Sequence, residues 1–453
     1  MGETATAERT TATPEPASAA RPGLPPGPRL PAPIQTFGLV ARPVPFFERL
    51  RRRYGETFTL RILRAGEMVF ISDPPSLKRL FGADRRNTIA PGRNVILRPI
   101  LGYQSLLLQE GEEHLRRRKL MLPPFHGERM RKYETVMEAT TDREIDSWPL
   151  GSEFKLHPSM QAITLEVILS AVFGVEEGTR RDALRTNLTG ILATTRSPAA
   201  IGMSIDRMRR LPRYRRVAEM LANADRILFE EIEERRGDPG LETREDILSM
   251  LVAARFEDGS EMTDAELRDQ LMTLLMAGHE TTATGLAWAF DLLFRAPDKL
   301  DRLREEVVDG GGNGYLGAVV KEALRLRPVV PFVGRELREE SELGGHALPA
   351  GTIVMPAIYL THTRPDVYAK PYEFLPERFL QDGPDTFGWI PFGGGTRRCI
   401  GAAFAELEMR VVLSTILRRA TLRPATKKPE RTVRRNVTLS PRGGTPAVLV
   451  DRR

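Results

Sequence analysis

The stretch PFGGGTRRCIGAAFAELE, from Pro391 to Glu408, contains the only cysteine of the 453-residue chain. Its three glycines, 393–395, predict a turn that no side chain crowds. A helical pattern begins near Gly401, so Cys399 lies at the entrance of a helix. Backbone amides, the positive helix end and two preceding arginines favour a thiolate there. The function of the whole chain therefore depends on what this thiol does.

Four interpretations of Cys399 are open from the local sequence. A lone cysteine is often a small buried apolar residue. A nucleophilic thiolate would need a histidine base nearby in space, and none is signalled locally. A zinc site would need more ligands than one cysteine supplies. A thiolate that is the single axial ligand of a haem iron needs only shielding and amide donors.

The composition limits the class of protein. Apolar residues make up 41% of the chain, enough for a large core, and a single cysteine excludes an internal disulfide framework. The net charge of +7 allows a nucleic acid, a membrane surface or an acidic protein as partner. No basic stripe with interleaved aromatics supports nucleic acid. Residues 1–30 are predicted to be a disordered Pro/Thr/Ala-rich tail without a signal sequence, and 31–453 a single domain.

Helical patterns dominate the chain, with long runs from about 112 to 310. Strand patterns are confined to a hairpin at 58–72 and to short pieces at 352–355 and 447–450. Without a strand–helix repeat, a parallel doubly wound sheet is excluded, and the prediction is a mainly α fold with a small β region (α+β). The fingerprint Gly312-x-Gly314-x-x-Gly317 follows a charged helical stretch rather than a strand, so we interpret it as a loop. No nicotinamide or flavin site is visible, and electrons must come from another protein.

The clearest helix lies within residues 261–297, with Pro297 just past its end. Thr263 and Glu266 form a capping box at its start. Between Leu271 and Phe294 only three residues are charged or titratable, Glu280 among them, so the helix should be buried. A membrane span is the alternative, but it would place Glu280 near the middle of the bilayer at a cost of about 2.5–3.5 kcal/mol.

Polar residues at 279–282 interrupt the apolar sequence of this helix and require an explanation. Ala277, Gly278 and Thr281 are spaced by three and four, so we expect them to share a face and to leave room for a flat or bulky group. Thr281 can hydrogen-bond the carbonyl one turn back. Glu280 points about 100° away, and the two would meet only through water in an opened turn. The structural alternative is a glutamate paired in the core and a threonine bonded to its own backbone.

These segments together resemble the cytochrome P-450 family, the haem-thiolate monooxygenases. Residues 392–401 (FGGGTRRCIG) resemble the family's haem-binding loop, and 277–282 (AGHETT) resemble its oxygen-activation segment. Glu322-x-x-Arg325 with Arg378 of PERF resembles its structural triad. The resemblance runs from about residue 24 to the C-terminus in the family's order and spacing. Departures are a glutamate at 280, where many members have aspartate, and His114, where tryptophan is frequent.

The resemblance implies a single triangular, mostly helical body with haem b between the long helix and the cysteine loop. Cys399 would be the axial iron ligand. Four side chains would contact the haem propionates: His114, Arg118, Arg335 and Arg397. Four further residues would line the haem: Phe392, Gly393, Ala277 and Gly278.

The implied reaction is the insertion of one atom of dioxygen, as hydroxylation or epoxidation, into a hydrophobic small molecule. Thr281 would hydrogen-bond dioxygen, and Glu280 would feed protons by way of water. Chiefly aliphatic positions would line the substrate: Ile96, Leu97, Ala277, Val330, Phe332, Val333 and Thr438. A terpenoid, a polyketide or a fatty acid of bacterial secondary metabolism would fit.

Basic residues are expected to form the docking site for the electron donor. Arg116, Arg117, Lys119 and Arg398 are expected to cluster on the cysteine side of the haem and to dock an acidic ferredoxin, supplied by its reductase, or a flavodoxin. We expect a cytoplasmic monomer without a membrane anchor. The alternatives are a haem-thiolate isomerase or peroxygenase that needs no partner, and a non-catalytic haem sensor. The intact pair of Glu280 and Thr281 favours the monooxygenase.

Overall fold

The computed structural model describes most of the chain in ten stretches. They are residues 23–84, 98–125, 127, 129–172, 174, 178–195, 212–310, 314–381, 383–435 and 437–453. Ile96 and Leu97, two of the expected substrate-lining residues, and Gly312 of the glycine fingerprint lie outside them.

Helices dominate these residues, as the sequence predicts. The helices are α1 (Ala32–Ala41), α2 (Pro43–Tyr54), α3 (Pro74–Gly82), α4 (Arg98–Leu101), α5 (Gly111–Met121), α6 (Arg129–Asp146), α7 (Leu156–Ala171), α8 (Thr179–Thr195), α9 (Pro212–Arg236), α10 (Ile247–Ala253), α11 (Asp264–Arg295), α12 (Pro297–Asp309), α13 (Gly314–Leu326), α14 (Ile358–His362) and α15 (Ala402–Arg419). Short 3-10 helices occur at Pro123–Phe125, Leu241–Thr243, Pro376–Phe379 and Gly395–Arg397.

The strands form a small β region. They are β1 (Thr57–Ile62), β2 (Gly66–Ile71), β3 (Glu153–Lys155), β4 (Arg335–Glu336), β5 (Ser341–Leu343), β6 (His346–Leu348), β7 (Ile353–Pro356), β8 (Ala420–Pro424), β9 (Thr432–Arg435), β10 (Thr438–Pro441) and β11 (Pro446–Arg452). The largest sheet has the order β1-β2-β7-β4, with β2 and β7 parallel and the other neighbours antiparallel. A three-stranded sheet, β3-β11-β8, and two hairpins complete the region. The predicted α+β class is confirmed.

Helix α11 forms the centre of the protein. It starts at the predicted capping box, in which Thr263 and Glu266 each bond the other's backbone. Most residues between Leu271 and Phe294 are buried, and the helix packs most extensively against α7. Within the described ranges, no helix combines the length and the apolar character that crossing a membrane requires. The helix is thus a core element, because protein side chains cover its apolar surface.

Two apolar regions hold the helices and the main sheet together. The larger cluster surrounds α11 with side chains from α5–α7, α13 and α15. Two smaller clusters cover the two faces of the sheet β1-β2-β7-β4. The cysteine loop, residues 391–401, lies between two helices. It is followed directly by α15, whose side chains belong to the larger cluster, and it contacts α3, which packs beside the sheet. This arrangement fixes the loop between the two packed regions.

Residues 23–30, which the sequence assigned to the tail, lie along β1. The carbonyls of Pro25 and Pro26 accept hydrogen bonds from the hydroxyl and the amide of Thr59, at 2.7 and 3.1 Å. The side-chain amide of Gln35 donates to the carbonyl of Pro28 at 3.1 Å. A proline-rich segment can adopt this extended path because its carbonyls remain free to accept.

Candidate active site

The glycine run of the cysteine loop is closely packed. The amide of Cys399 donates to the carbonyl of Phe392 at 2.9 Å, which closes the loop. A Cβ atom at Gly394 would lie 2.5 Å from the ring of Phe81. Gly395 has a φ of 68°, and a Cβ atom there would lie 2.4 Å from a carboxylate oxygen of Asp84. The turn therefore requires glycine for both conformation and space.

Cys399 lies at the end of the loop, three residues before the start of α15. The side chain is accessible, yet burial by the surrounding protein is the largest influence on its pKa. The amide of Gly401 donates a hydrogen bond to the sulfur, and Arg118 and Arg398 lie near it. These three groups lower the pKa of the thiol, but burial outweighs them and raises it. The groups that favour a thiolate at Cys399 are therefore present. A further positive charge is still required to deprotonate the thiol.

Helix α11 opens on one narrow face. Ala277 is exposed, although the residues around it between Leu271 and Phe294 are buried or half-buried. Thr281, one turn later, is half-buried and donates its hydroxyl hydrogen to the carbonyl of Ala277 at 2.6 Å. The predicted bond to the preceding turn is confirmed. The helix continues without interruption through this turn.

Gly278 does not share the face of Ala277. A Cβ atom at Gly278 would lie 3.1 Å from the Cδ1 atom of Ile168 on α7. The Cβ direction of Gly278 therefore points to α7 and not to the open face of Ala277, because consecutive helical residues point about 100° apart. Its missing side chain instead allows α7 to pack closely against α11.

Glu280 faces α7 and belongs to a polar cluster between the two helices. The side-chain amide of Gln161 donates to its Oε2 atom, and the Nε2 atom of His157 lies 3.8 Å from its Oε1 atom. The same His157 nitrogen is 3.2 Å from the hydroxyl of Thr284. A neighbouring pair joins the hydroxyl of Thr164 to the Nδ1 atom of His279, 2.9 Å apart.

The residues on the α7 side of this cluster are not among the predicted site residues. His157, Gln161 and Thr164 recur at intervals of four and three, which places them on one helical face. Polar residues on one stripe of an otherwise apolar helix indicate a polar partner on the helix opposite. That signal was available from the sequence.

Four basic side chains expected to contact a haem lie together. His114 is buried, and its pKa is lowered to about 3 by burial and by Arg397, Arg118 and Arg335. Burial and the neighbouring guanidinium groups of Arg335 and Arg118 also lower the pKa of Arg397, to about 10. The cluster therefore concentrates positive charge where little water screens it, and an anion placed there would be stabilised.

Arg335 already has a carboxylate partner. Its Nε atom donates to Asp84 Oδ1 at 2.5 Å, and its Nη2 atom donates to the carbonyl of Gly394 at 3.1 Å. Both side chains of the ion pair are buried. No local sequence pattern indicates Asp84, because the residues that surround it come from three distant segments.

The triad expected from the sequence is assembled. Arg325 donates to both carboxylate oxygens of Glu322, at 2.6 and 2.8 Å, and Arg378 donates to the same carboxylate at 3.1 Å. Glu322 and Arg325 are both fully buried on α13, and Arg378 lies on the 3-10 helix Pro376–Phe379. The backbone amide of Leu375 donates to the same carboxylate. The triad therefore joins α13 to the segment that precedes the cysteine loop.

The described substrate-lining candidates differ in their surroundings. Phe332 stacks edge-on against Phe70 of the main sheet, with ring centroids 5.5 Å apart, and Val333 packs against the other face of that sheet. Thr438 is buried and donates its hydroxyl hydrogen to the carbonyl of Arg435 at 2.9 Å. Val330 is half-buried. These contacts are with the β region, whereas Ala277 is an exposed residue on a helix that is otherwise mostly buried.

The proposed docking cluster needs correction. Arg117 is buried and forms ion pairs with Glu266 and Glu113, so it cannot be part of an outer surface. Its position on α5 turns it towards the start of α11. Arg116 and Lys119 are paired with Asp258 and Glu257, both at 2.5 Å. Arg398 is exposed.

Comparison with known sequences gives a consistent result. The sequence model described as Cytochrome P450 matches residues 25–446. A putative cytochrome P450 135B1 of Mycobacterium tuberculosis is 42% identical over 428 residues, which cover 93% of this chain and 90% of that protein. A putative cytochrome P450 138 of Mycobacterium bovis is 39% identical over 429 residues, which cover 94% of this chain and 96% of that protein.

Solved structures share the fold. A cyanobacterial CYP120A1 with bound retinoic acid has a TM-score of 0.80 and 26% identity, covering 94% of this chain and 99% of that one. The haem domain of cytochrome P450DA has a TM-score of 0.82 at 23% identity, covering 95% of this chain and 98% of that one. The second likeness concerns the fold alone.

Proposed function

Since the chain belongs to the cytochrome P450 family, it is a haem-thiolate monooxygenase, and we propose which of its residues carry that activity and what class of substrate it oxidises. Haem b is the cofactor of the family, held by a cysteine thiolate. We assign that role to Cys399, because the chain has one cysteine and its side chain is solvent-accessible. This observation carries the proposal.

When bound, the haem supplies an iron that activates dioxygen, and electron donation from the thiolate favours cleavage of the O–O bond. Cys399 contributes the thiolate, since a coordinating metal ion deprotonates a thiol outright and so reverses the effect of burial on its pKa. The Gly401 amide hydrogen bond to the sulfur moderates this donation.

The basic cluster is suited to two propionates. His114 on α5 is neutral at physiological pH and can donate one hydrogen bond, whereas Arg118 and Arg397 carry charge. Arginine forms strong charge-assisted hydrogen bonds with carboxylates. Burial, and then repulsion by Arg335 and Arg118, lower the pKa of Arg397, and such a ligand would oppose both effects.

Thr281 and Glu280 are assigned to proton delivery. The Thr281 hydroxyl lies on the open face of α11 and now donates to the carbonyl of Ala277. A rotation about its side-chain torsion would let it donate to dioxygen instead. Glu280 lies towards α7, so its proton would reach Thr281 through water or after the carboxylate turns away from Gln161.

The substrate is proposed to be hydrophobic. Ala277 offers a small apolar surface on the open face of the helix, where a polar substrate would find few partners. The related cyanobacterial protein holds retinoic acid, which is a hydrophobic terpenoid. We therefore propose hydroxylation or epoxidation of a terpenoid, polyketide or fatty acid in bacterial secondary metabolism, by a monomeric cytoplasmic enzyme.

Electrons are proposed to come from a ferredoxin or a flavodoxin. Arg398 is exposed one residue before Cys399, so a donor that docks there would be close to the ligand. The acidic residues Glu257 and Asp258 neutralise Arg116 and Lys119, which makes Arg398 the centre of the proposed contact. Charged residues at the edge of this contact would raise the rate of association with the donor more than they raise its affinity.

The assignment of Cys399 is tested with the Cys399→Ser variant. The reduced carbonyl complex of the wild-type protein should show the red-shifted absorption band of a thiolate-ligated haem, and the variant should lose it. An unchanged spectrum in the variant would refute ligation by Cys399. Titration of the ferric spin state with a terpenoid, a macrolide and a fatty acid then identifies the substrate class. Oxidation driven by peroxide alone, without electron donor, would instead indicate a peroxygenase.

A further inference from the structure

Asp84 lies just beyond α3, and none of the roles assigned above involves it. We propose that Asp84 is a positioning residue that sets the net charge of the propionate site and ties the cysteine loop to β4. The proposal rests on the assignment of Cys399 and the arginine cluster to haem binding, and it goes further by making a carboxylate of the protein part of that site.

The carboxylate of Asp84 joins two segments. Its Oδ1 atom accepts from Arg335 Nε at 2.5 Å, and its Oδ2 atom accepts from Arg335 Nη2 at 3.4 Å and from the hydroxyl of Thr396 at 2.9 Å. The side chains of Arg335 and Asp84 are only 3% and 2% exposed. Charge-assisted hydrogen bonds of this kind, shielded from water, are strong and directional. Asp84 thereby fixes Arg335 in one orientation.

The loop is shaped around this carboxylate. A Cβ atom at Gly395 would lie 2.4 Å from Asp84 Oδ2, well inside the contact distance. Thr396, the next residue, bonds the same oxygen. The cysteine loop therefore packs directly against Asp84, three residues before the ligand. This steric relationship is independent of the ion pair with Arg335.

The charges of the cluster match a dianion only when Asp84 is counted. Three guanidinium groups, those of Arg118, Arg335 and Arg397, meet at the site, while His114 is neutral at physiological pH. The carboxylate of Asp84 reduces their net charge to two, which equals the charge of two propionates. Asp84 attracts Arg397 and thereby opposes the lowering of its pKa by burial.

A second carboxylate near the cluster has a weaker effect. Glu110 also attracts Arg397, but its side chain is 32% exposed and lies 3.9 Å from the exposed Arg338. Solvent screens such a group more than the buried Asp84. Asp84 is thus the internal counter-charge of the site.

The Asp84→Asn variant tests the charge. The side chain keeps its shape and an oxygen acceptor but loses its charge. The haem midpoint potential should shift to a more positive value, because the oxidised haem, with one more positive charge, loses a nearby anion. The apoprotein should also melt at a lower temperature, since three guanidinium groups lose their buried counter-charge.

The matched control is Asp73→Asn at the other end of α3. Asp73 accepts a hydrogen bond from the amide of Ser76 at 2.8 Å as the N-cap, and asparagine can replace it in that role. Neither the potential nor the melting temperature should change. A wild-type potential in Asp84→Asn would overturn the proposal.

A third variant keeps the experiment decisive if Asp84→Asn fails to hold haem. Asp84→Glu retains the charge and alters only the length of the side chain. Retention of haem by the glutamate variant alone would support the role of the charge, whereas equal loss from both variants would overturn it. Failure of the haem assignment itself is distinguishable, because the wild-type protein would then lack the thiolate band.

Discussion

The guanidinium group of Arg325 donates two hydrogen bonds to the carboxylate of Glu322, and both side chains are fully buried. Arg325 also donates to the backbone carbonyls of His362, Pro371 and Glu373, at 2.7, 2.7 and 3.1 Å. A buried charge is tolerated only when its partners are complete. The pair therefore holds the chain around residue 371 against α13, and with it the approach to the cysteine loop.

The Glu322→Ala variant should lose about 3–5 kcal/mol of unfolding free energy, because it leaves the Arg325 charge buried without its main partner. Chemical denaturation, followed by circular dichroism, measures this loss. The control is Glu230→Ala, which breaks a pair with Arg226 whose side chains are 61% and 43% exposed. That variant should lose less than about 0.5 kcal/mol. Equal losses in the two variants would contradict the role of burial.

The Thr281→Ala variant should divert electrons from product to peroxide. Its hydroxyl lies on the open face of α11, and its present bond to the Ala277 carbonyl is not needed for a helix that continues through this turn. The unfolding free energy should change by less than about 1 kcal/mol. Peroxide and product per electron consumed measure the effect, and Thr281→Ser should restore coupling. An unchanged product yield per electron in Thr281→Ala would refute the assignment.

The Glu280→Gln variant should lower turnover by about 10²-fold or more, with a larger solvent isotope effect, because the side chain keeps its size but can no longer carry a proton. The substrate-induced spin-state change should remain. Asp291→Asn is the control, since Asp291 is buried further along α11 and contacts Arg295. Similar turnover in Glu280→Gln and the wild-type protein would show that another group delivers the proton.

Local sequence predicts the parts of the site that are contiguous. The capping box of α11, the spacing of Glu322 and Arg325 and the glycine turn before Cys399 each depend on a few neighbouring residues, so pattern and propensity determine them. The structure shows each of them as expected.

Contacts between segments that are distant in the chain could not be predicted from local sequence patterns. The Cβ direction of Gly278 points to α7, and spacing alone does not say which of two adjacent helical faces meets that helix. Arg117 is expected in the basic docking cluster, and only its contact with Glu266 shows that it is buried. Asp84 was missed since its partners, Arg335 and Thr396, lie more than two hundred residues away.

Two glycine-to-alanine changes should have opposite effects on stability. Gly394→Ala places a methyl group 2.5 Å from the ring of Phe81, which should cost about 1–3 kcal/mol and reduce the haem content. Gly317→Ala lies within α13 with open space around it and should add about 0.5–1 kcal/mol, because alanine has the higher helix propensity. Thermal unfolding of both variants measures the difference, and a stable haem-replete Gly394→Ala protein would contradict the packing argument.

His362 should make the protein labile to acid. Its Nε2 atom accepts from the amide of Ile390 at 2.8 Å, so its Nδ1 atom carries the hydrogen that is directed at the carbonyl of Arg325, 3.1 Å away. Burial, with a smaller contribution from the charge of Arg325, lowers its pKa from 6.5 to about 3. Protonation would remove the acceptor and place a second positive charge beside Arg325.

The direction of the pH effect follows from this lowered pKa. The unfolded chain binds a proton at His362 below about pH 6.5, whereas the folded protein binds it only near pH 3, so stability is full above 6.5 and falls as the pH decreases between these values. His362 should account for about 2 kcal/mol of the stability lost between about pH 7 and about pH 5. His362→Gln removes the titrating group but keeps a donor and an acceptor. Denaturation over this range should show a shallower dependence in the variant, and an equal slope would mean that His362 is not neutral in the folded protein.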